Sequence, residues 1–267
     1  RSEVNDDVKK AVIVAAGMGK RLAPHTATMP KCLVPVRGKP LIRRQLDAFR
    51  AHGVTEAVVV RGYKAEVLER RSAELGAGVR FVDNPDYERN NVLLSLFHAE
   101  AELGTPFLLS YADIVFTKEV VGSLVAARGD ICLVVDRDFA AVYEGRTEHP
   151  LTEAEVVSLD AKGNVAAVGK RAVPVADAHG EFIGLAKFSK AGAAAFTSAW
   201  RELARDYDGR MDAPFQRAMS FRNAYLTDLL QLLIDQGVTL SPVEIHGQWR
   251  EIDTVQDLAR AEETVDW

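Results

Sequence analysis

The strongest constraint on the fold is a regular alternation of short β-branched runs with helical patterns through the first half of the chain. Strands are predicted at residues 11–16, 55–61, 79–82, 106–110 and 130–135, and helices at 40–52, 65–75 and 91–103. Strands that alternate with helices join as βα units. The pattern therefore predicts an α/β fold, with a mostly parallel twisted sheet and helices on both faces.

The rhythm changes after about residue 136. Residues 156–159 and 164–168 flank Lys162-Gly163 and predict an antiparallel hairpin. Further elements are expected at 182–188 (strand), 191–205 and 223–236 (helices), 238–245 and 249–252 (extended) and 254–264 (a closing helix with Thr254 as N-cap). With no internal repeat or low-complexity linker, we expect a single domain over residues 1–267 with a small antiparallel insertion at about 137–190.

Composition narrows the classes of ligand. The 267-residue chain has a formal net charge of −5, from 33 Lys and Arg against 38 Asp and Glu. It lacks the positive field that nucleic-acid binding requires, so any anionic ligand must be held by local cations. No apolar run reaches the roughly 18–20 residues that a membrane span needs, which predicts a soluble protein without a membrane partner.

Two features bear on the cellular compartment. The two cysteines, Cys32 and Cys132, have neither a CxxC nor a zinc spacing, which is typical of a reducing environment. Residues 1–10 are polar and contain no apolar stretch of a secretory signal, which favours the cytoplasm. Because the sequence begins with Arg1 rather than methionine, a domain taken from a longer polypeptide is also considered.

A glycine-bearing turn directly after the first predicted strand is the most informative segment. Gly17 and Gly19 allow the backbone to approach a ligand closely. Three cations follow that can neutralise phosphate oxygens: Lys20, Arg21 and Lys31. The turn is not a GxGxxG motif, because Leu22 takes the third glycine position, nor a Walker A motif, because Arg21 stands where Ser or Thr binds magnesium. We interpret it as a phosphate-binding turn.

The same residues match a known signature. Ala15-Ala16-Gly17-x-Gly19-x-Arg21-Leu22, followed by Pro30-Lys31 and Pro35-Val36-x-Gly38-Lys39-Pro40-Leu41, closely resembles the signature of nucleotidyltransferases that couple an NTP to a sugar phosphate, phosphocholine or a phosphonate. Near the C-terminus, Trp249-Arg250-Glu251-Ile252-Asp253-Thr254 resembles the late metal-binding segment of that family. The resemblance covers nearly the whole chain and implies the Rossmann-like nucleotidyltransferase fold.

The middle of the chain resembles a narrower group. Residues 179–189, HGEFIGLAKFS, are similar to a segment of cytidylyltransferases that act on phosphocholine and on phosphonates such as 2-aminoethyl- or 2-hydroxyethylphosphonate. Five further positions resemble the phosphonate-acting members, including the domain fused to phosphoenolpyruvate mutase in fosfomycin pathways: Arg137, Tyr143, Arg146 and His149-Pro150. The resemblance implies CTP as the nucleotide and a small phosphonate or phosphomonoester as the acceptor.

The implied reaction joins an acceptor oxygen to the α-phosphorus of CTP and releases pyrophosphate. Because that oxygen is already ionised, catalysis needs positioning and charge neutralisation rather than a protein nucleophile or a general base. The implied catalytic contacts are Arg21 to the triphosphate, Lys31 near the α-phosphate and Lys170 to the acceptor phosphate. Asp113 and Asp253 are expected to hold Mg²⁺ with hard carboxylate oxygens.

The other expected contacts form two sets. The nucleotide set is Ala15, Ala16, Gly17, Met18, Gly19, Lys20, Asn90, Asn91 and Ser95, and the acceptor set is Arg137, Tyr143, Arg146, Lys170, Glu181 and Asp228. Several have equally simple structural explanations: an N-cap for the asparagine pair, a turn for Glu181 and a helix start for Asp228. A choline acceptor would need an aromatic or carboxylate cage, to which Tyr143, Tyr225 and Trp249 could contribute, although half-burial alone also explains these aromatics.

Two other functions are considered. A sugar-1-phosphate nucleotidyltransferase is disfavoured by Gly169-Lys170-Arg171, which stands where the sugar enzymes commonly have Glu-Lys-Pro. A non-catalytic regulatory module of the same fold is disfavoured because four key residues occur together: Arg21, Lys31, Asp113 and Asp253. We expect a monomer or homodimer.

Overall fold

The computed structural model describes residues 7–267, so part of the polar stretch 1–10 lies outside the described residues. The strands are β1 (Lys10–Ala15), β2 (Pro35–Val36), β3 (Lys39–Pro40), β4 (Glu56–Arg61), β5 (Val79–Asp83), β6 (Phe107–Tyr111), β7 (Ile114–Phe116), β8 (Ile131–Asp136), β9 (Glu155–Leu159), β10 (Val165–Lys170), β11 (Gly180–Phe188), β12 (Ser241–Ile245) and β13 (Trp249–Glu251). The α-helices are α1 (Leu41–Arg50), α2 (Ala65–Arg70), α3 (Val92–Phe97), α4 (Lys118–Ala126), α5 (Phe139–Tyr143), α6 (Lys190–Asp206), α7 (Leu226–Asp235) and α8 (Val255–Thr264). Short 3₁₀ turns connect several of them.

Nine of the strands form one mixed sheet. Strands β6, β1, β4 and β5 are parallel neighbours, as the βα pattern predicts. Strand β11 runs antiparallel to β6 on one side and to β8 on the other, and β12 pairs with β8 in parallel. The predicted α/β class with a largely parallel sheet is confirmed, and the antiparallel part extends beyond the hairpin because β11 lies inside the sheet.

Helices cover both faces of the sheet, also as predicted. Alternate residues of β1 point to opposite sides, with Val12 in one apolar cluster and Ala11 and Ile13 in the other. The cluster around Val12 includes residues of α3, α6 and α7, and the opposite one includes residues of α1 and α4. Such two-sided burial explains why the strands read as continuous apolar runs.

The predicted hairpin is confirmed as β9 and β10, which pair antiparallel. Strand β9 also pairs with β11 at Gly180 and Glu181, so the hairpin continues the main sheet. The range 137–190 therefore includes a strand of the sheet core, and its role as an acceptor-binding insertion stays a prediction.

Element boundaries differ from the predictions where local signals are weak. The predicted helix 91–103 ends at Phe97 and continues as a 3₁₀ turn over Glu100–Glu102. The predicted helix 65–75 ends at Arg70 and is followed by a 3₁₀ turn. Strand β7 and helices α4 and α5 were not predicted. Within residues 7–267, no helix combines the length and apolar character needed to cross a bilayer.

Candidate active site

Two aspartates 140 positions apart meet because β7 and β13 pair with each other. Asp113 lies in the turn between β6 and β7, and Asp253 follows β13 by two residues. The antiparallel register places Glu251 opposite Ile114, and the Ile252 N–H donates to the Asp113 carbonyl at 2.8 Å. The expected convergence of the two aspartates is thus confirmed.

Buried side chains fix the backbone on both sides of this pair. The Gln45 amide of α1 donates to the carbonyls of Tyr111 (2.7 Å) and Ile114 (2.6 Å), which flank Asp113. The Asp257 carboxylate accepts the N–H groups of Asp253 and Thr254 at 3.1 and 3.0 Å, completing the cap of α8. Hydrogen bonds from Gln45 therefore fix the backbone around Asp113, and hydrogen bonds to Asp257 fix the backbone at Asp253.

The Lys31 ammonium lies between the two carboxylates. Its Nζ is 2.9 Å from Asp113 Oδ2 and 2.7 Å from Asp253 Oδ1. Burial alone would lower the pKa of Lys31, but the charges of Asp113 and Asp253 outweigh it and raise the pKa. Lys31 is therefore charged throughout the physiological pH range.

Asp253 has two further partners. Its Oδ2 is 3.0 Å from His149 Nδ1, and Arg21 forms an ion pair with the same oxygen. Burial would raise the pKa of Asp253, whereas the hydrogen bond to His149 and the charges of Lys31 and Arg21 outweigh it and hold the pKa below its usual range.

The glycine turn packs directly against Lys31. Gly19 has φ 58°, a left-handed conformation that favours glycine, and a Cβ there would lie 3.1 Å from Lys31 Cβ. Thr26 Oγ1 holds the turn by donating to the Gly19 carbonyl at 2.9 Å. The next three residues, Lys20–Leu22, form a 3₁₀ turn that carries two of the predicted phosphate-binding cations.

A cavity of about 440 Å³ opens over this group and collects most of the predicted residues. Those that line it are Ala15, Ala16, Gly17, Gly19, Lys20, Arg21, Lys31, Asn90, Asn91, Ser95, Asp113, Lys170, Glu181 and Asp253. The residues predicted for phosphates, for the metal and for part of the acceptor site thus share one cavity, and their individual roles stay predictions.

The asparagine pair divides into two roles. Asn91 caps α3, accepting from the Val92 N–H at 2.8 Å and donating to the Asn223 carbonyl at 3.1 Å, which supports the cap explanation for this residue. Asn90 lines the cavity and accepts from Asn84 Nδ2 at 3.0 Å. The same Asn84 amide donates to Ser95 Oγ at 2.9 Å, so a buried asparagine that the sequence did not single out aligns both side chains.

The lining also includes Glu153, Glu155 and Glu181. Lys170 pairs with Glu153 at 2.7 Å. Glu155 accepts from the Tyr111 hydroxyl at 3.1 Å, and burial raises the pKa of Glu155 to about 7. Glu181 accepts from the Tyr143 hydroxyl at 2.6 Å, while its other oxygen has no hydrogen-bond partner among residues 7–267.

Five predicted residues are absent from the lining. Met18 lies in the glycine turn between two lining residues. Arg137 is exposed and pairs with Glu244 at 3.3 Å. Asp228 caps α7 by accepting from the Tyr225 N–H at 2.8 Å, which agrees with a helix start. The placement of Arg137 and Asp228 does not support direct contact with an acceptor.

The other two, Tyr143 and Arg146, stand behind the cavity wall. Tyr143 contacts Glu181 from the buried side, and only 6% of its surface is exposed. Arg146 binds Asp257 through two hydrogen bonds of 2.8 and 2.9 Å, and Glu251 through a third of 2.9 Å. Both residues support lining side chains, so the prediction that they touch the acceptor is replaced by an indirect role.

Three lining side chains were missed as ligand-contacting candidates: Glu155, His149 and Glu251. Donor atoms of His149, Glu251 and Asp253 lie within 4.8 Å of one another, and with Asp113 they form an oxygen-rich set suited to a hard divalent cation. Both His149 and Glu251 stood inside motifs singled out by resemblance, which was the available signal. Glu155 had no such signal, because the pattern that predicts a strand does not indicate which cavity the side chains of β9 face.

Tyr111 lies at the end of β6 and lines the cavity two residues before Asp113. Its ring packs against Gly184, where φ is +89° and a Cβ would lie 2.2 Å from Tyr111 Cδ2. The register of β11 shifts between Phe182 and Ala186, around this glycine. The glycine in β11 thus makes room for the aromatic ring in the cavity wall.

We expect Arg146→Met to lower the free energy of unfolding by about 3–5 kcal/mol, because it leaves the buried Asp257 carboxylate and Glu251 without their cation. Urea denaturation measures this change. The matched control is Arg89→Met, which removes an exposed pair with Asp86 and should change stability by less than about 1 kcal/mol. Equal small changes in both variants would contradict the supporting role of Arg146.

Comparison with known proteins bears on the family. Residues 11–240 match the MobA-like NTP transferase domain. The chain is 32% identical over 256 residues to the CTP:phosphoglutamine cytidylyltransferase of Campylobacter jejuni, covering 93% of this chain and 97% of that protein. It is 32% identical over 171 residues to the 2-aminoethylphosphonate cytidylyltransferase of Lancefieldella rimae, covering 62% of this chain and 63% of that protein.

A solved structure shows the same fold. The CTP:phosphocholine cytidylyltransferase of Streptococcus pneumoniae matches with a TM-score of 0.73 and 22% identity, covering 96% of this chain and 99% of that one. The nucleotidyltransferase family expected from the glycine turn is confirmed. This chain belongs to the family of MobA-like NTP transferase domains and is a nucleotidyltransferase.

Proposed function

We propose that this protein is a CTP-dependent cytidylyltransferase that transfers CMP to a small phosphonate or phosphomonoester and releases pyrophosphate. The observation that carries the proposal is the Lys31 ammonium held between Asp113 and Asp253 beside the glycine turn. The choice of CTP is supported by the names of the similar proteins, one of which matches almost end to end.

The main barrier to this reaction is repulsion between two anions. The acceptor oxygen forms a bond to the α-phosphorus, and the bond from that phosphorus to the bridging oxygen breaks, with its electron pair leaving on pyrophosphate. Lys31 and Arg21 are both paired with Asp253 and both line the cavity, so their positive charges already lie where phosphate oxygens would bind. Charge that is fixed in the site in advance stabilises the transition state.

Asp113 and Asp253 are the residues that would hold Mg²⁺. When bound, such an ion supplies Lewis-acid charge at phosphate oxygens. His149 is placed to orient the Asp253 carboxylate through its 3.0 Å contact, and Gln45 fixes the turn that carries Asp113.

The acceptor end favours an N–H-bearing cation over a quaternary ammonium. The Lys170 ammonium already lies over the Tyr225 ring at 4.9 Å, and the Arg146 guanidinium lies over the Tyr143 ring at 4.6 Å. Trp249 is buried and donates its ring N–H to Asp136 at 2.8 Å. The three aromatics considered for a choline cage are therefore engaged, whereas the carboxylates of Glu155 and Glu181 can accept hydrogen bonds. We infer an acceptor with an amino group at the end away from its phosphoryl group.

A pyrophosphate-release assay tests the proposal with each NTP against four acceptors. We expect turnover with CTP and 2-aminoethylphosphonate, weaker turnover with 2-hydroxyethylphosphonate, and the lowest cytidylyl transfer to phosphocholine, which cannot donate N–H bonds. Turnover with glucose 1-phosphate alone would reject the acceptor class. No turnover with any pair would instead favour a regulatory module.

We expect Lys31→Ala and Asp113→Asn each to reduce kcat by about a hundredfold or more, equivalent to about 3 kcal/mol of transition-state stabilisation. Single-turnover kinetics would separate this effect from substrate binding, and circular dichroism would check the fold. Lys39→Ala is the matched control, since Lys39 belongs to the same sequence signature but pairs with Asp47 outside the cavity. Near-normal rates for the first two variants would contradict their roles.

The acidity of Glu155 predicts a pH dependence. Because its pKa is raised to about 7, Glu155 is neutral below that pH and ionised above it, and only the ionised form pairs with an ammonium group. We expect kcat/KM for 2-aminoethylphosphonate to rise over roughly one pH unit on either side of 7, and this rise to be lost in Glu155→Gln. The matched acceptor 2-hydroxyethylphosphonate should give the same profile in both proteins. A rise that survives in the variant would exclude Glu155 as its source.

A further inference from the structure

A second cavity, of about 250 Å³, adjoins the catalytic one and shares Glu251 with it. Three arginines line it, and we call it the arginine cavity: Arg146 follows α5, Arg250 lies in β13 and Arg260 lies in α8. Its other charged or titratable side chains are Asp138, His246, Glu251 and Asp257. None of these three arginines lines the catalytic cavity.

The acids of the arginine cavity are already engaged. Glu251 and Asp257 both bind Arg146, at 2.9 and 2.8 Å. Asp138 pairs with His246 Nδ1 at 3.1 Å. Among residues 7–267, neither Arg250 nor Arg260 forms an ion pair with a carboxylate. The cavity therefore carries two cations without an acidic partner.

Arg146 adds an unused donor. Its Nε and Nη2 atoms make all the bonds to Asp257 and Glu251, while Nη1 is buried and has no hydrogen-bond partner among residues 7–267. Only 2% of the Arg146 side chain is exposed. A guanidinium nitrogen that is withdrawn from water and left unpaired is an uncommon feature, and it calls for an acceptor.

Arg250 and Arg260 are held in place by neutral groups. Arg250 donates to the Trp249 carbonyl at 2.6 Å and to Thr264 Oγ1 at 3.3 Å, and Arg260 donates to the Val142 carbonyl at 3.4 Å. Arg250 also lies over the Trp267 ring at 5.9 Å. Because Arg250 and Arg260 line the same cavity, both guanidinium groups are available to one anion there.

We propose that the arginine cavity binds a small phosphoryl oxyanion, of the size of phosphate or pyrophosphate, at a site separate from the catalytic cavity. Guanidinium groups suit this ligand because their planar N–H pairs match the oxygens of a tetrahedral phosphoryl group. The volume of 250 Å³ admits either ion and is lined by donors on three different elements.

A short chain of contacts connects the arginine cavity with the loop that carries Asp253. Arg146 contacts Glu251, which lines both cavities, and Asp257, which accepts the Asp253 N–H at 3.1 Å. An anion on Nη1 of Arg146 thus acts one side chain away from a proposed metal ligand.

Isothermal titration calorimetry of the whole chain, without CTP, acceptor or metal, tests the proposal with inorganic phosphate in one arm and pyrophosphate in the other. We expect a saturable site that weakens by about tenfold or more in Arg250→Gln/Arg260→Gln and persists in Arg21→Ala, which alters only the catalytic cavity. Pyrophosphate can also bind the cations of the catalytic cavity, so in its arm only the binding that persists in Arg21→Ala is assigned to the arginine cavity. The double variant Arg201→Gln/Arg205→Gln on α6 is the matched control, because it changes the net charge equally at exposed positions. The anion that binds more tightly, phosphate or pyrophosphate, is identified as the preferred ligand of the arginine cavity.

Three results would overturn the proposal: no saturable binding by the native chain, equal weakening in the α6 control, or a site that is lost in Arg21→Ala and kept in the arginine double variant. If thermal melting shows that the double variant is unfolded, Arg260→Gln alone is compared with Arg201→Gln, and unchanged affinity in the former refutes the site. Because neither CTP nor an acceptor is present, failure here leaves the proposed cytidylyltransferase activity unaffected.

Discussion

The placement of one ammonium group between two carboxylates is the interaction on which the rest of the site depends. Asp113 and Asp253 could not lie side by side in a half-buried cavity without a cation, because their charges would repel each other. Lys31 supplies that cation at 2.9 and 2.7 Å. The pairing of β7 with β13, the Gln45 bonds around Asp113 and the left-handed Gly19 all serve to bring these three side chains together.

Buried polar groups behind the cavity support the groups that face it. Asp257 helps to cap α8, holds the backbone of Asp253 and binds Arg146, so one carboxylate serves helix capping, loop geometry and charge balance. Tyr143 supports Glu181 in a similar way. A residue such as Tyr143 can match a substrate-binding motif and still have a structural role, so resemblance alone does not distinguish the two.

Cations and carboxylates line the same catalytic cavity. Lys20, Arg21 and Lys31 gather positive charge on and next to the glycine turn. Glu153, Glu155 and Glu181 add carboxylates to the wall, and Glu153 is balanced by Lys170. The glycine turn belongs to the continuous signature, whereas Glu155 and Glu181 reach the cavity from β9 and β11.

The βα rhythm predicts the fold class and the pattern around Lys162-Gly163 predicts the antiparallel hairpin, because both are local. The glycine turn carries the resemblance to the family, and that resemblance, rather than any local pattern, placed Lys31, Asp113 and Asp253 in one site. Sequence reasoning did not separate Asn90, in the cavity wall, from Asn91, the helix cap, or recognise that Arg146 has structural partners. It also gave no sign of Glu155 or the arginine cavity. Such features arise where strands or helices distant in sequence pack together, and a side chain's partner and burial exist only once that packing has formed.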